Sequence, residues 1–227
     1  MPLKLVRHKY PGYYVLIEGA DGTGKSELAK RLEVLLGNYY SPLDRTVLRT
    51  AEPMQVRYGN VIRERFNEIE QETSANRYEL AYAFGADRQY HQEVHIRPWL
   101  EAGMVIIQDR GSISTMVYQD DLFGGHPEIL CYEIIKPDLL ILLECSETDF
   151  MKRRDGGKNL YERMPYATIK NKFVARTFET FDPGEVLVYN TSIHTDPTLL
   201  VQSVADTIQS RADSRWSRNS WYKKNPV

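Results

Sequence analysis

The sequence predicts an α/β fold of three layers, a five-stranded parallel sheet with helices on both faces. Three observations predict it. Five short runs are apolar almost throughout rather than alternating, as strands buried on both faces are. The segments between them are long enough for helical crossovers. The chain of 227 residues, 42 % of them hydrophobic, suffices for one domain with a sizeable core.

The strands are Tyr13–Glu18 (YYVLIE), 46–50 (TVLRT), 104–108 (MVIIQ), Leu139–Glu144 (LLILLE) and 185–189 (EVLVY). After the first, residues 24–36 repeat apolar side chains at Leu28, Ala29, Leu32, Leu35 and Leu36, and Gly37 is the expected C-cap. Residues 74–101 read as a further helical stretch, ended by Gly103 and kinked at Pro98. Residues 153–163 (RRDGGKNLYER) are basic and glycine-containing and do not read as sheet core. The domain is expected to span 1–210. The polar, basic segment 211–227 reads as a surface tail.

Composition narrows function. A formal net charge of -2 makes no electrostatic case for nucleic acid or an anionic membrane. No apolar run approaches the roughly 18 residues of a membrane span. The two cysteines, Cys131 and Cys145, form no metal-ligand spacing and read as reduced buried thiols. A soluble, cytoplasmic protein is the expectation.

One motif is complete. Gly19-Ala20-Asp21-Gly22-Thr23-Gly24-Lys25-Ser26 matches G-x-x-x-x-G-K-S/T between a strand and a helix. Glycines let successive backbone N–H groups turn toward phosphate oxygens, and the helix N-terminus adds partial positive charge. Lys25 is expected on the β- and γ-phosphates of a nucleoside triphosphate and Ser26 on Mg²⁺. By itself the loop says only that a triphosphate binds. The base-reading N-K-x-D of a GTPase is absent.

A second constellation points to an acceptor. Phe84 and Arg88 lie four apart, on one face of a helix. A ring that stacks beside a guanidinium that donates suits a nucleobase. Asp109-Arg110 ends a predicted buried strand, where α/β sheets bind ligands. Thr115 and Tyr118, three apart, face one way on the helix that follows.

Taken together these motifs resemble the thymidylate kinases, which make dTDP from dTMP and ATP on a P-loop kinase fold. The resemblance covers the chain from about 13 to 190. Glu18 to Ser26 resembles E-G-x-D/E-G-x-G-K-S/T, and Glu52-Pro53 sits where that family has R-E-P. Phe84-Gly85-Ala86-Asp87-Arg88 resembles F-A-A-D-R, and residues 109–119 resemble D-R-Y/H-x-x-S-x-x-A-Y-Q. Asn159-Leu160-Tyr161-Glu162-Arg163 resembles the end of a lid.

The resemblance implies roles. Gly19, Asp21, Gly22, Thr23, Gly24, Lys25, Ser26 and Glu27 would hold ATP, with Thr191 in a loop at 190–194 beside the adenine. Phe84 would stack on thymine, Arg88 would bond its O4 edge, and Thr115 would sit near N3. Tyr118 would lie under the deoxyribose and leave no room for a 2′-hydroxyl. Asp21 would hold the 3′-hydroxyl or organise the phosphates. Arg110 would grip the acceptor phosphate, with Asp109 near Mg²⁺. Glu52-Pro53, with a cis peptide, would shape the base pocket, and Arg63 is a further phosphate candidate. Some members carry a P-loop arginine where this chain has Gly22. The charge on the moving phosphoryl group would then come from a lid at about 151–165, through Arg153, Arg154 or Arg163. A homodimer is the family's usual state.

Three departures fall on the acceptor side. Ala51 replaces the family's arginine, Met54-Gln55 its glycine pair, and Gly111 its aromatic or histidine. Gly111 removes bulk, which keeps a 5-substituted dUMP open as acceptor, and Arg57 or Arg63 could supply the missing charge. A deoxynucleoside kinase and a nucleotide-gated binding module are the other readings. The former needs a carboxylate base near the sugar, which Asp109-Arg110-Gly111 matches poorly.

Overall fold

The structure is a computed structural model that describes residues 4–68, 73–122, 125–126, 130, 133–153, 164–193 and 196–218. Five parallel strands form the main sheet: β2 (Tyr13–Glu18), β3 (Val47–Ala51), β4 (Val105–Asp109), β6 (Leu139–Glu144) and β7 (Val186–Asn190). Their order is β3-β4-β2-β6-β7. Three of them begin and end one residue later than the apolar runs suggest. A two-residue parallel pair, β1 (Leu5–Val6) with β5 (Ile134–Ile135), lies outside this sheet and was not foreseen.

The helices are α1 (Lys25–Tyr40), α2 (Tyr58–Glu68), α3 (Ser74–His91), α4 (Arg97–Glu101), α5 (Ser112–Tyr118), α6 (Glu147–Arg153), α7 (Tyr166–Thr180) and α8 (Pro197–Arg218). Alternate residues of each central strand face opposite layers. Val15, Ile17, Val105, Ile107, Ile141 and Leu143 pack against Leu28, Leu32 and Leu36 of α1 and Val204, Ala205 and Ile208 of α8. Leu16, Leu140 and Leu142 pack against Ile113 and Val117 of α5 and Ile169 and Phe173 of α7. Tyr14 and Ile106 meet Ile96 and Leu100. Because all five strands are parallel, their carboxyl ends share one edge, and both candidate binding regions lie along it.

Two expectations are corrected and a third is refined. Gly37 does not end α1, which runs on to Tyr40. Tyr40 is fully buried and meets the edge of the Trp216 ring at 5.4 Å, so tertiary packing overrides the local stop. The stretch 74–101 is helical throughout, as expected, and stops before Gly103. It widens into π-helix at Gln92–Ile96, in the turn before Pro98, whose missing N–H cannot continue the α-helical ladder. The domain does not stop at 210: residues 211–218 complete α8. Ala212 and Trp216 are buried, the Trp216 Nε1–H donates to the Pro11 carbonyl at 2.8 Å, and the Arg45 guanidinium lies 3.7 Å from the ring centroid. Burying so large a side chain is worth about 1.5–3 kcal/mol, which a surface tail forgoes.

Candidate active site

The phosphate loop follows β2 and enters α1 through Gly24, at φ 92. Gly19 sits at φ 142, where a β-carbon would lie 2.3 Å from the Leu143 carbonyl oxygen, so only glycine fits beside β6. Thr23 is buried and donates to the Ala20 carbonyl at 2.8 Å; the Lys25 ammonium donates to the same oxygen at 2.7 Å. Burial holds the Lys25 pKa below the ordinary lysine value, against the pull of Asp109 and Glu18.

Asp109 closes β4 directly beside the loop, paired in register with Ile17 of β2 and Ala51 of β3. The Ser26 hydroxyl donates to Asp109 Oδ2 at 2.5 Å, while Asp109 Oδ1 is buried without a hydrogen-bond partner. Two adjacent hard oxygen donors with an orphaned lone pair fit Mg²⁺, which takes few protein ligands and completes its octahedron with water and phosphate oxygens. Among the described residues no cluster of three or more His, Cys, Asp or Glu forms an all-protein metal cage.

On one side of the loop a cavity of about 310 Å³ is lined by Gly24, Glu27, Leu28, Arg31, Arg153, Thr191, Pro197, Leu200 and Val201. Arg153, at the end of α6, donates to the Gly22 carbonyl and to the Thr191 hydroxyl, each at 3.3 Å. A β-carbon on Gly22 would stand 3.4 Å from the Arg153 β-carbon. The arginine thus occupies space beside the loop position where the chain has glycine. Arg154 and Arg163, the other two lid candidates, and Cys131 lie outside the described residues.

On the other side a cavity of about 250 Å³ is lined by Asp21, Glu52, Pro53, Phe84, Arg88, Arg110, Gly111, Ser114, Thr115, Tyr118 and Gln119. Every residue expected on the acceptor lies here except Arg63. Glu52-Pro53 is a cis peptide. Arg88 is buried, donating from Nε to Glu52 at 2.8 Å and from Nη2 to the Gly111 carbonyl at 3.1 Å and the Thr115 hydroxyl at 2.8 Å. Burial raises the Glu52 pKa, but the Arg88 charge and His91 outweigh it and hold the carboxyl below the usual range.

Arg110 bridges the two regions. It adopts a left-handed backbone, φ 67, which aims its side chain back over the phosphate loop. Its guanidinium pairs with Asp21, lies 5.9 Å from the Tyr118 ring centroid and donates to Ser114 Oγ at 3.4 Å. Tyr118 also donates to Asp21, at 3.3 Å.

Two expectations about charge are overturned. Arg63 does not face the cavity: it donates to the backbone carbonyls of Pro53 (2.5 Å), Gly59 (3.1 Å) and Met54. The exposed Arg57 lies over the Tyr90 ring at 4.9 Å. Neither lines the pocket in place of the arginine that Ala51 replaces. Nor does Gly111 enlarge the pocket. A β-carbon there would point at Leu16 Cδ1 (3.0 Å) and Gln108 Nε2 (3.3 Å) rather than into the cavity, so the glycine answers to packing behind it.

Glu18 also belongs to the site, although the roles drawn from the sequence do not include it. It is fully buried and accepts from the Gly111 N–H (2.8 Å), the Ser114 N–H (3.2 Å) and the Ser114 hydroxyl (2.6 Å). It therefore ties the phosphate-loop strand to the turn that carries Arg110. Burial raises its pKa against those hydrogen bonds. Its signal was present in the sequence, as a lone acid ending an apolar strand.

The chain matches the family model described as thymidylate kinase over residues 17–198. It is 34 % identical over 218 residues to a thymidylate kinase of Leifsonia xyli subsp. xyli, covering 90 % of this chain and 96 % of that protein. It is 29 % identical over 203 residues to the thymidylate kinase of Chlamydia muridarum, covering 82 % and 97 %. Its fold is similar to a crystal structure of thymidylate kinase from Ehrlichia chaffeensis, with TM-score 0.66, 19 % identity and 87 % and 98 % coverage. The thymidylate kinase structure from Candida albicans gives TM-score 0.65, 22 % identity and 90 % and 92 % coverage. At these identities the two structures bear on the fold alone.

Proposed function

The chain belongs to the thymidylate kinase family, and from that premise we propose how its residues carry out the ATP-dependent phosphorylation of dTMP to dTDP. The observation that carries the reading is Arg110, set between the phosphate loop and the acceptor cavity and joined to Asp21 of that loop. An acceptor-phosphate oxygen attacks the γ-phosphorus in line as the bond to the β–γ bridging oxygen breaks, leaving ADP. The acceptor is already an anion, so no strong base is needed; positioning and charge are the catalytic means.

Lys25 holds the donor phosphates, and loss of its present bond to Ala20 frees the ammonium for them. Arg110 exchanges Asp21 for the acceptor phosphate, which frees Asp21 for the sugar hydroxyl. Phe84, Arg88 and Thr115 hold the base, and Tyr118 lies under the deoxyribose. Arg153, already on the loop, places positive charge over the γ-phosphoryl group; Arg154 and Arg163 remain candidates for the same task. Glu27 and Thr191 flank the ATP cavity. Ser26 and Asp109 would hold Mg²⁺, which when bound neutralises charge on the donor phosphates.

A homodimer is part of the proposal. It is supported by an apolar, aromatic surface on two packed helices, with Tyr58 and Val61 of α2 and Tyr78 and Tyr82 of α3 exposed. A cytoplasmic location is supported by the free, buried Cys145 thiol. No helix among the described residues is long and apolar enough to cross a membrane.

An ATP-coupled assay across dTMP, 5-substituted dUMP, other deoxynucleoside monophosphates and thymidine tests the reading. dTMP should be the best acceptor and thymidine inert; phosphorylation of thymidine in preference to dTMP would overturn it. Lys25→Ala should keep the wild-type melting profile and lose about 10²–10³-fold in kcat, the usual loss when one preorganised charge donor is removed.

A further inference from the structure

We propose that His91 is a positioning residue for the acceptor: acting through Glu52, it sets the orientation of Arg88 and so the affinity for dTMP without touching it. The inference rests on the acceptor reading of the Arg88 cavity. His91 is fully buried and does not line that cavity. Both ring nitrogens are engaged. Nε2 lies 2.8 Å from the Thr50 hydroxyl on β3, and Nδ1 lies 3.4 Å from Glu52 Oε1. Facing a carboxylate oxygen, Nδ1 is the protonated donor.

Glu52 is in turn satisfied at both oxygens. Oε2 takes the Nε–H of Arg88 at 2.8 Å, and Oε1 takes Gln108 Nε2 at 3.0 Å beside His91. Gln108 is itself fixed by the Tyr14 hydroxyl, which donates to its Oε1 at 2.7 Å. The Arg88 and Glu52 side chains are each only 4 % exposed. A buried ion pair of this kind repays its desolvation only when its remaining lone pairs are bonded, so its geometry follows from the groups behind it. Arg88 and His91 are three apart on α3, on one helix face. One helix therefore presents the arginine to the ligand and, a turn later, orients the carboxylate that holds it. The α-helical ladder gives way to π-helix at the next residue, Gln92, whose Oε1 accepts from the Ile135 N–H at 3.1 Å. A filler of the same volume needs neither nitrogen bond.

Two isosteric variants separate positioning from packing. His91→Asn keeps a donor where Nδ1 stands and drops the Thr50 contact; His91→Gln keeps a group where Nε2 stands and drops the donor to Glu52. Kinetics with dTMP and ATP varied separately should show His91→Gln raising the KM for dTMP about 10- to 150-fold, the range for a lost hydrogen bond to a charged group. The KM for ATP should stay within about twofold in both variants, and His91→Asn, which loses only the Thr50 contact, should raise the KM for dTMP about threefold. Equal effects of the two variants on the dTMP KM, or a rise in both KM values together, would overturn the proposal. If His91→Gln does not fold, Thr50→Val leaves the imidazole but frees its far end. It should raise the dTMP KM alone, about threefold, and an unchanged value overturns the proposal. Wild-type protein inactive on dTMP would instead remove the acceptor reading beneath it.

Discussion

Arg63 stood on the edge of a phosphate-binding set and serves the backbone instead. Its guanidinium satisfies the carbonyls of Pro53, Met54 and Gly59, and so braces the cavity wall that Glu52-Pro53 forms. Asp87 braces the same segment from α3 by accepting the Met54 N–H at 2.9 Å, and burial raises its pKa. Leaving part-buried carbonyls without a donor costs about 1–3 kcal/mol. Arg63→Ala should therefore lower the urea midpoint by a corresponding amount and weaken dTMP binding with no change in its salt dependence. A phosphate ligand would behave in the opposite way, with stability unchanged and a shallower salt dependence.

At the scale of elements, α8 and the N-terminal segment lock together through charge as well as through Trp216. Arg215 on α8 pairs with Asp138 and donates to the Tyr10 carbonyl at 3.1 Å. His8 sits between them, with Nε2 3.0 Å from Asp138 and Nδ1 3.3 Å from Arg215. A guanidinium only donates, so Nδ1 accepts and the ring is neutral. Burial, and then the Arg215 charge, hold the His8 pKa down to about 3 from 6.5. Asp138 favours the opposite shift, but Arg215 already balances its charge. The unfolded chain takes up this proton near pH 6.5 and the folded chain only near 3. The contribution is thus complete above the unfolded value and is lost as pH falls between the two. Over that window the loss approaches about 1.4 kcal/mol per pH unit. Urea unfolding at pH 7, 6, 5 and 4 should show the wild type losing stability faster than His8→Gln on acidification; parallel curves would refute the linkage.

For the whole molecule, one sheet edge carries both cavities beside the phosphate loop, and the aromatic residues of α2 and α3 lie on the helices that also carry Arg63 and Arg88. Dimerisation through that surface would stiffen the acceptor wall. Tyr82→Asp, at an exposed position, should shift sedimentation from dimer to monomer and raise the dTMP KM more than the ATP KM. A wild type that sediments as a monomer would dispose of the dimer.

The sequence by itself determined the strands, the phosphate loop and most of the residues that line the candidate acceptor cavity. Phosphate and base recognition demand particular residue types at fixed spacing: glycines at 19 and 24, Lys25, and Phe84 with Arg88 one turn apart. These demands are local and so leave a local trace. Only the tertiary structure decided the strand order, the absorption of 211–218 into α8 and the side on which Gly111 lies. It also decided what Glu18, Arg63 and His91 hold. An arginine reads alike in sequence whether it meets a phosphate or three carbonyls. Its partners at 53, 54 and 59, like those of His91 at 50 and 52, come together only when helices pack against the strand ends. Burial then makes each unpaired polar group costly, and that cost selects one arrangement among the many that the same residues would allow in water.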